Sequence, residues 1–286
     1  MHVRSRNFLV IALAAMVGVG MSGNVHAHAY AYSSQSVTDF LMQSTANITF
    51  SAFATESSTS AAMSGMSGCA NVGSMDAMRC VIGAPDPGEN SYSLQGDVGE
   101  YSRSDAVITN SDILSGAAAQ NIAEILVTAK DRLAQSNGRN SLSAEFSLDT
   151  DAAVTFSLNS IIDLMTEVGA TDHDGFAEAD VVFSVHIDEH GVVPTPGVHV
   201  YDWSPNEANQ AISSLSAGEI DSYNFNGVLS DTTALLTGGT LYDLTIVMSE
   251  TARAGTHVSE PATLLLLGAG LVGLGYVRRQ RKLAIA

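Results

Sequence analysis

Ala177, Ala179, Val181, Phe183, Val185 and Ile187 occupy alternate positions of one uninterrupted run, with mostly polar residues between them. Period two puts successive side chains on opposite faces of an extended strand, so the run suits a sheet with one buried and one wet face and cannot line one face of a helix. The pattern recurs at Leu142, Ala144, Phe146 and Leu148, breaks at Asp149-Thr150-Asp151, and resumes at Val154, Phe156 and Leu158, which reads as a hairpin. Tyr242, Leu244, Ile246 and Met248 give another run near the end, Ile48, Phe50, Ala52 and Ala54 one near the start, and Ala106 to Thr109 a shorter one. The expected body is all-β, an antiparallel β-sandwich of jelly-roll-like form. Asn121 to Leu133 also suits a helical face through Ile122, Ile125, Leu126, Ala129 and Leu133, and is read as a strand from its context. Thr55 to Gly68, rich in Ser, Thr, Ala, Gly and Met and almost without charge, reads as a flexible surface loop.

The two ends follow other rules. Arg4 and Arg6 precede an apolar run from Phe8 to Val19, and the small residues that follow include Ala27-His28-Ala29. This is the order of a secretory signal peptide, expected as a helix over residues 1–29 and removed by signal peptidase during export. At the other end, Leu264 to Val277 is apolar and runs at once into Arg278, Arg279, Gln280, Arg281 and Lys282. A basic stop stays on the cytoplasmic side, which leaves residues 30–257 outside. From Pro261 to Val277 the segment only reaches the lower limit for a transmembrane helix, about 17 residues. Gly268, Gly270, Gly273 and Gly275 weaken it as a plain anchor, while Ala269 and Gly273 allow close approach of another helix. Gly268-Ala-Gly270-Leu-Val-Gly273 also spells a dinucleotide fingerprint, but the chain offers no room after it for the helix, strand and acidic residue that the fold needs.

Val258, Ser259, Glu260, Pro261, Ala262 and Thr263 stand immediately before this span. Motif, span and basic stop together resemble the PEP-CTERM family of exported bacterial proteins, whose tails read Val-Pro-Glu-Pro-Ala-Thr. Ser259 replaces the first proline. The resemblance covers residues 258–286 and implies handling by exosortase, a membrane cysteine protease, in Gram-negative species that make exopolysaccharide and biofilm. A looser similarity to exported proteins with such tails extends to Ala27-His28-Ala29-Tyr30-Ala31-Tyr32 and Trp203-Ser204-Pro205.

All 30 acidic residues except Glu260 fall between the two end segments, where Arg79, Arg103, Lys130, Arg132, Arg139 and Arg253 are the strong bases. Such a body repels nucleic acid and anionic lipid and favours solubility and divalent cations. Cys69 and Cys80, the two cysteines, are expected to form a disulfide in an oxidising compartment, since their spacing suits no zinc knuckle. Asp172, Asp174 and Asp180 gather oxygen ligands near a turn, a calcium candidate set against a solvated Asp-Gly turn, and calcium is the one cofactor considered. Tyr201 and Trp203 could stack on a sugar ring, against the alternative of aromatics closing one end of the sandwich. His186 and His190 lie four apart but in a strand, so they form no helical zinc motif, and His199 could join them across a hairpin. Asp188 and Glu189 are adjacent and point to opposite faces, and Asp149 and Asp151 belong to a turn, so neither pair makes a glycosidase. With no nucleophile elbow or phosphate loop in the chain, the reading is a non-enzymatic envelope or matrix protein associated with exopolysaccharide, with a carbohydrate- or calcium-binding module as the alternative and a secreted hydrolase behind it.

Overall fold

The computed structural model describes residues 28–73, 78–84, 99–129, 131–170, 172, 174–191 and 197–256, so the expected signal helix and the apolar tail span lie outside the described residues. Thirteen strands are present among them: β1 (Ala29–Ser44), β2 (Ile48–Met63), β3 (Cys69–Gly73), β4 (Met78–Ala84), β5 (Glu100–Asn110), β6 (Ala117–Val127), β7 (Leu133–Leu148), β8 (Val154–Val168), β9 (Phe176–Glu189), β10 (His199–Trp203), β11 (Gln210–Ser214), β12 (Ile220–Thr232) and β13 (Leu241–Gly255). One sheet has the order β12-β8-β1-β6-β5-β4 and the other β10-β9-β13-β7-β2-β3, with β11 also pairing along β9. Every pairing is antiparallel. The all-β, antiparallel, two-sheet expectation therefore holds, at a width well beyond the about eight strands of a jelly roll.

Alternation decides what lies between the sheets. Phe156 and Leu158 from β8, Phe146 and Leu148 from β7, and Phe183, Val185 and Ile187 from β9 build the larger apolar cluster. A smaller one, made mostly of alanine and valine, collects Ala29, Ala31, Ala123, Val127, Val168, Ala177 and Ala254 at the opposite end. The beginning of β1 and the end of β13 thus sit at the same end of the sandwich.

Between the two clusters runs a polar waist of buried Ser33, Gln35, Asn121, Ser136, Asn140 and Glu250. Four of these, Ser33, Asn121, Ser136 and Asn140, reach main-chain carbonyls of the facing sheet. Asn140 donates to the Val107 and Gln120 carbonyls, each at 3.0 Å, and Asn121 donates to the Met248 carbonyl at 3.1 Å. Ser33 and Ser102 donate to the carbonyls of Asp180 and Gln135 at 2.8 Å, and Ser136 donates back to that of Arg103. Such bonds need sheets closer than the usual separation of about 10 Å. Gly138 shows how close they come, because a Cβ there would lie 3.0 Å from the Asp105 carbonyl oxygen and 3.2 Å from that of Ile122.

The waist also corrects the reading of Thr55 to Gly68. Residues through Met63 continue β2 in register with β7, from Ile48↔Leu148 to Met63↔Ala134, and the turn begins only after them. Ser57, Thr59 and Ala61 are buried there, their small size fitting the narrow gap, and Met63 beyond them is buried in the smaller apolar cluster. Cys69 and Cys80 form the expected disulfide. It joins β3, at the edge of one sheet, to β4, at the edge of the other, so it staples the sandwich along one side. Closing this short loop stabilises by about 3 kcal/mol in the chain-entropy account.

Two outcomes follow. Cys69→Ser with Cys80→Ser should lower unfolding stability by about 3 kcal/mol in denaturant titration, without changing the far-ultraviolet spectrum of the sheets. Burial pushes the Glu250 carboxyl well above its ordinary value of 4.5, reinforced by the Asp180 charge and only partly opposed by the Asn121 amide. Above that ordinary value the folded protein keeps a proton that the unfolded chain has lost, so this stability is complete below about pH 4.5 and is lost as pH rises through the folded value. Glu250→Gln, which mimics the protonated acid, should therefore raise the melting temperature at pH 8 and leave it unchanged at pH 4.

Candidate functional site

The sorting-motif residues Val258 to Thr263 and the basic stop Arg278, Arg279, Arg281 and Lys282 lie outside the described residues. β13 ends at Gly255, just before them, so the tail leaves directly from a central strand of the second sheet.

Within the body, the calcium triad does not converge. Asp172 is fully buried and packs against Gly175, Asp174 is exposed in the turn, and Asp180 lies within β9 opposite Ala211 and Thr251. Four strand residues separate Asp180 from the start of β9, about 13 Å of extended chain. Its carboxyl is raised by burial first, with Arg253 and Thr251 opposing. Proximity in sequence misled because a strand, unlike a loop, carries its residues steadily away.

Tyr201 and Trp203 are core aromatics. They are 9% and 7% exposed, and both stack on Phe156, with ring centroids 5.8 and 6.5 Å away. Trp203 also meets Phe183 edge-on at 5.8 Å, and the Tyr201 hydroxyl donates to Asp231. Both belong to the larger apolar cluster, and a sugar would have no open ring face to stack on.

The histidines behave differently. In β9 the odd residues face inward, so His186 and Asp188 face outward. β10 pairs Asp202 with His186 and His199 with Asp188, and the register slips between His199 and Tyr201. That bulge lets His199 and Asp202, three residues apart and of opposite parity, share the outward face while Tyr201 and Trp203 turn inward. The His186 and His199 rings stack at 4.5 Å and 14°. Around them, His186 Nδ1 is 2.6 Å from Asp202 and its Nε2 2.9 Å from Asp188, while His199 Nδ1 is 3.1 Å from Asp188 and its Nε2 3.0 Å from Asp202. Hydrogen bonding to Asp202 is the main cause that raises the His186 pKa, and the same bond lowers that of Asp202. His190 stands apart from this square. Its Nδ1 is 2.9 Å from Asp243, next to Glu145 on the same face, and Asp243 raises its pKa. The expected three-histidine set thus forms as a pair plus one. Sequence reading found the histidines and missed Asp202, Asp243 and Glu145, which only strand register brings alongside.

A second group of charges lies on the outward face of the first sheet. Arg103 Nε donates to Asp105 at 2.7 Å, and its Nη1 is 3.3 Å from Glu124, which also accepts from the hydroxyls of Tyr30 and Tyr101. Arg79 lies 3.7 Å from Asp105. Among the described residues, two guanidinium groups face two buried carboxylates here, a structural arrangement.

Residues 257–282 match the family described as the PEP-CTERM protein-sorting motif. The chain carries that motif at its C-terminal end, which implies an exported protein that transits the membrane and is processed by an exosortase. Comparison with curated proteins found no match.

For the aromatic pair, burial sets the expected result. Trp203→Ala should cost about 3–5 kcal/mol of stability in denaturant titration, because it empties a buried site in the larger cluster, against Phe156 and Phe183. A sugar-stacking residue would give a loss of polysaccharide retention with stability unchanged.

Proposed function

We propose that the chain is a non-enzymatic envelope or extracellular-matrix protein of a Gram-negative bacterium, delivered by the secretion machinery, freed of its signal peptide, held briefly by its tail, and released by exosortase to associate with exopolysaccharide. The observation that carries this reading is the sorting motif at residues 257–282. Its position relative to the fold supports it, because β13 is complete at Gly255 and a cut near Ser259-Glu260-Pro261 leaves both of its ladders intact. The span after the motif is short and glycine-rich, a good handle for a membrane protease and a poor permanent anchor. The acidic body suits a soluble, displayed protein and disfavours nucleic acid as a partner.

The test is intact mass. Wild-type protein recovered from the cell surface should lack Arg278 to Ala286, and Glu260→Ala or Pro261→Ala should leave full-length protein in the inner membrane. Surface protein that still bears the basic stop would mean that the tail is an anchor, and the release step would be abandoned.

A further inference from the structure

We propose that His186, Asp188 and His199 bind a divalent transition-metal ion of the zinc class, with Asp202 as the residue that orients the two histidines. One ligating atom from each of the three lies within 4.8 Å of the others. All three side chains are partly exposed, at 40%, 34% and 48%, so an ion reaches them without opening the core.

The argument rests on how the donors face one another. A neutral imidazole donates from one nitrogen and presents a lone pair at the other. Here both nitrogens of both rings face carboxylate oxygens, at 2.6–3.1 Å. With neutral rings, two of these four contacts set a lone pair against an anion. Two protonated rings would remove that conflict and create another, since two cations would lie stacked at 4.5 Å. A single metal ion removes both conflicts once the rings turn about their Cβ–Cγ bonds out of the parallel stack, because it then takes the lone pair of each ring together with Asp188 and leaves each remaining N–H to a carboxylate. Asp202 is placed to accept them, as carboxylates behind metal-bound histidines do.

Spacing and surroundings agree with this assignment. Bonds of about 2.0 Å in a tetrahedral site give donor-to-donor edges of about 3.3 Å. Asp188 Oδ2 lies 2.9 Å from His186 Nε2 and Asp188 Oδ1 lies 3.1 Å from His199 Nδ1, each within a few tenths of an ångström of that edge, so the carboxylate stands at ligating distance beside both rings. Among the described residues, no lysine or arginine forms an ion pair with Asp188 or Asp202, or with neighbouring Glu145 and Asp243. The local field therefore draws in cations. Two nitrogens and one oxygen select zinc, copper or nickel over calcium, which takes oxygen alone. Three protein donors leave a fourth position for water or for an oxygen of another molecule.

Titration calorimetry of the purified full-length protein, free of any histidine tag, with zinc chloride in millimolar calcium is the test. The wild type should bind zinc in the presence of calcium. His186→Ala and His199→Ala should each abolish that binding, Asp202→Asn should weaken it about 10–100-fold, and His190→Ala should retain it. Cobalt should give a visible absorption band in the wild type that is absent from His199→Ala, which reports nitrogen ligation independently of affinity. Circular dichroism confirms that each variant is folded. Zinc binding unchanged in both His186→Ala and His199→Ala, or abolished by calcium, would show only an acidic surface and overturn the proposal.

Discussion

Around Gly138 the two sheets come within van der Waals reach of each other's main chain, and the rest of the sandwich is arranged about that contact. Where sheets approach this closely, large apolar side chains have no room, so the gap is filled by Ser, Thr, Asn and Gly. Buried polar groups favour hydrogen-bond partners, and here the carbonyls of the facing sheet accept from Ser33, Asn121, Ser136 and Asn140. Each such bond fixes one sheet's position along the other, a specification that apolar packing alone does not give. The apolar material is split into two clusters, one rich in Phe, Leu, Ile and Val and one built largely of Ala.

The pinch also explains what could and could not be read in the sequence. Runs of Phe, Val, Ile and Leu at period two, as in β7, β8, β9 and β13, announce themselves because a wide gap needs large inward side chains. The second half of β2 has the same alternation, written in Ser, Thr and Ala, and without a size contrast it looks like a linker. Asn121 to Leu133 was ambiguous for a related reason. β6 ends at Val127 and β7 starts at Leu133, so the helical spacing mixed residues from two strands and the turn between them. Trp203 is legible only as an alternative, because a single large aromatic near a proline suits either a core or a surface role until its neighbours are known.

Sites were less legible than strands. Asp172, Asp174 and Asp180 are neighbours in sequence and diverge in space, while Asp202 and His186, sixteen residues apart, meet across a ladder. Asp202 and His186 are direct ladder partners, and a register slip of one residue brings His199 onto the same face at a point that nothing in the composition of β10 marks. The disulfide was foreseeable as a pair, yet its bridging of two sheet edges depended on knowing that β3 and β4 belong to different sheets.

The strand directions give the molecule a polarity. β1 begins and β13 ends at the alanine-rich end, while β9 starts there, with Phe176 opposite Gly255, and runs toward the histidines. His186 lies ten residues along it, about 33 Å from that end. In the tail-tethered state proposed above, the chain is held by one pole and the histidine–aspartate square is carried near the other. A membrane-tethered molecule would thus present these side chains outward from the lipid surface, and release would change how far the square can travel without changing what it exposes.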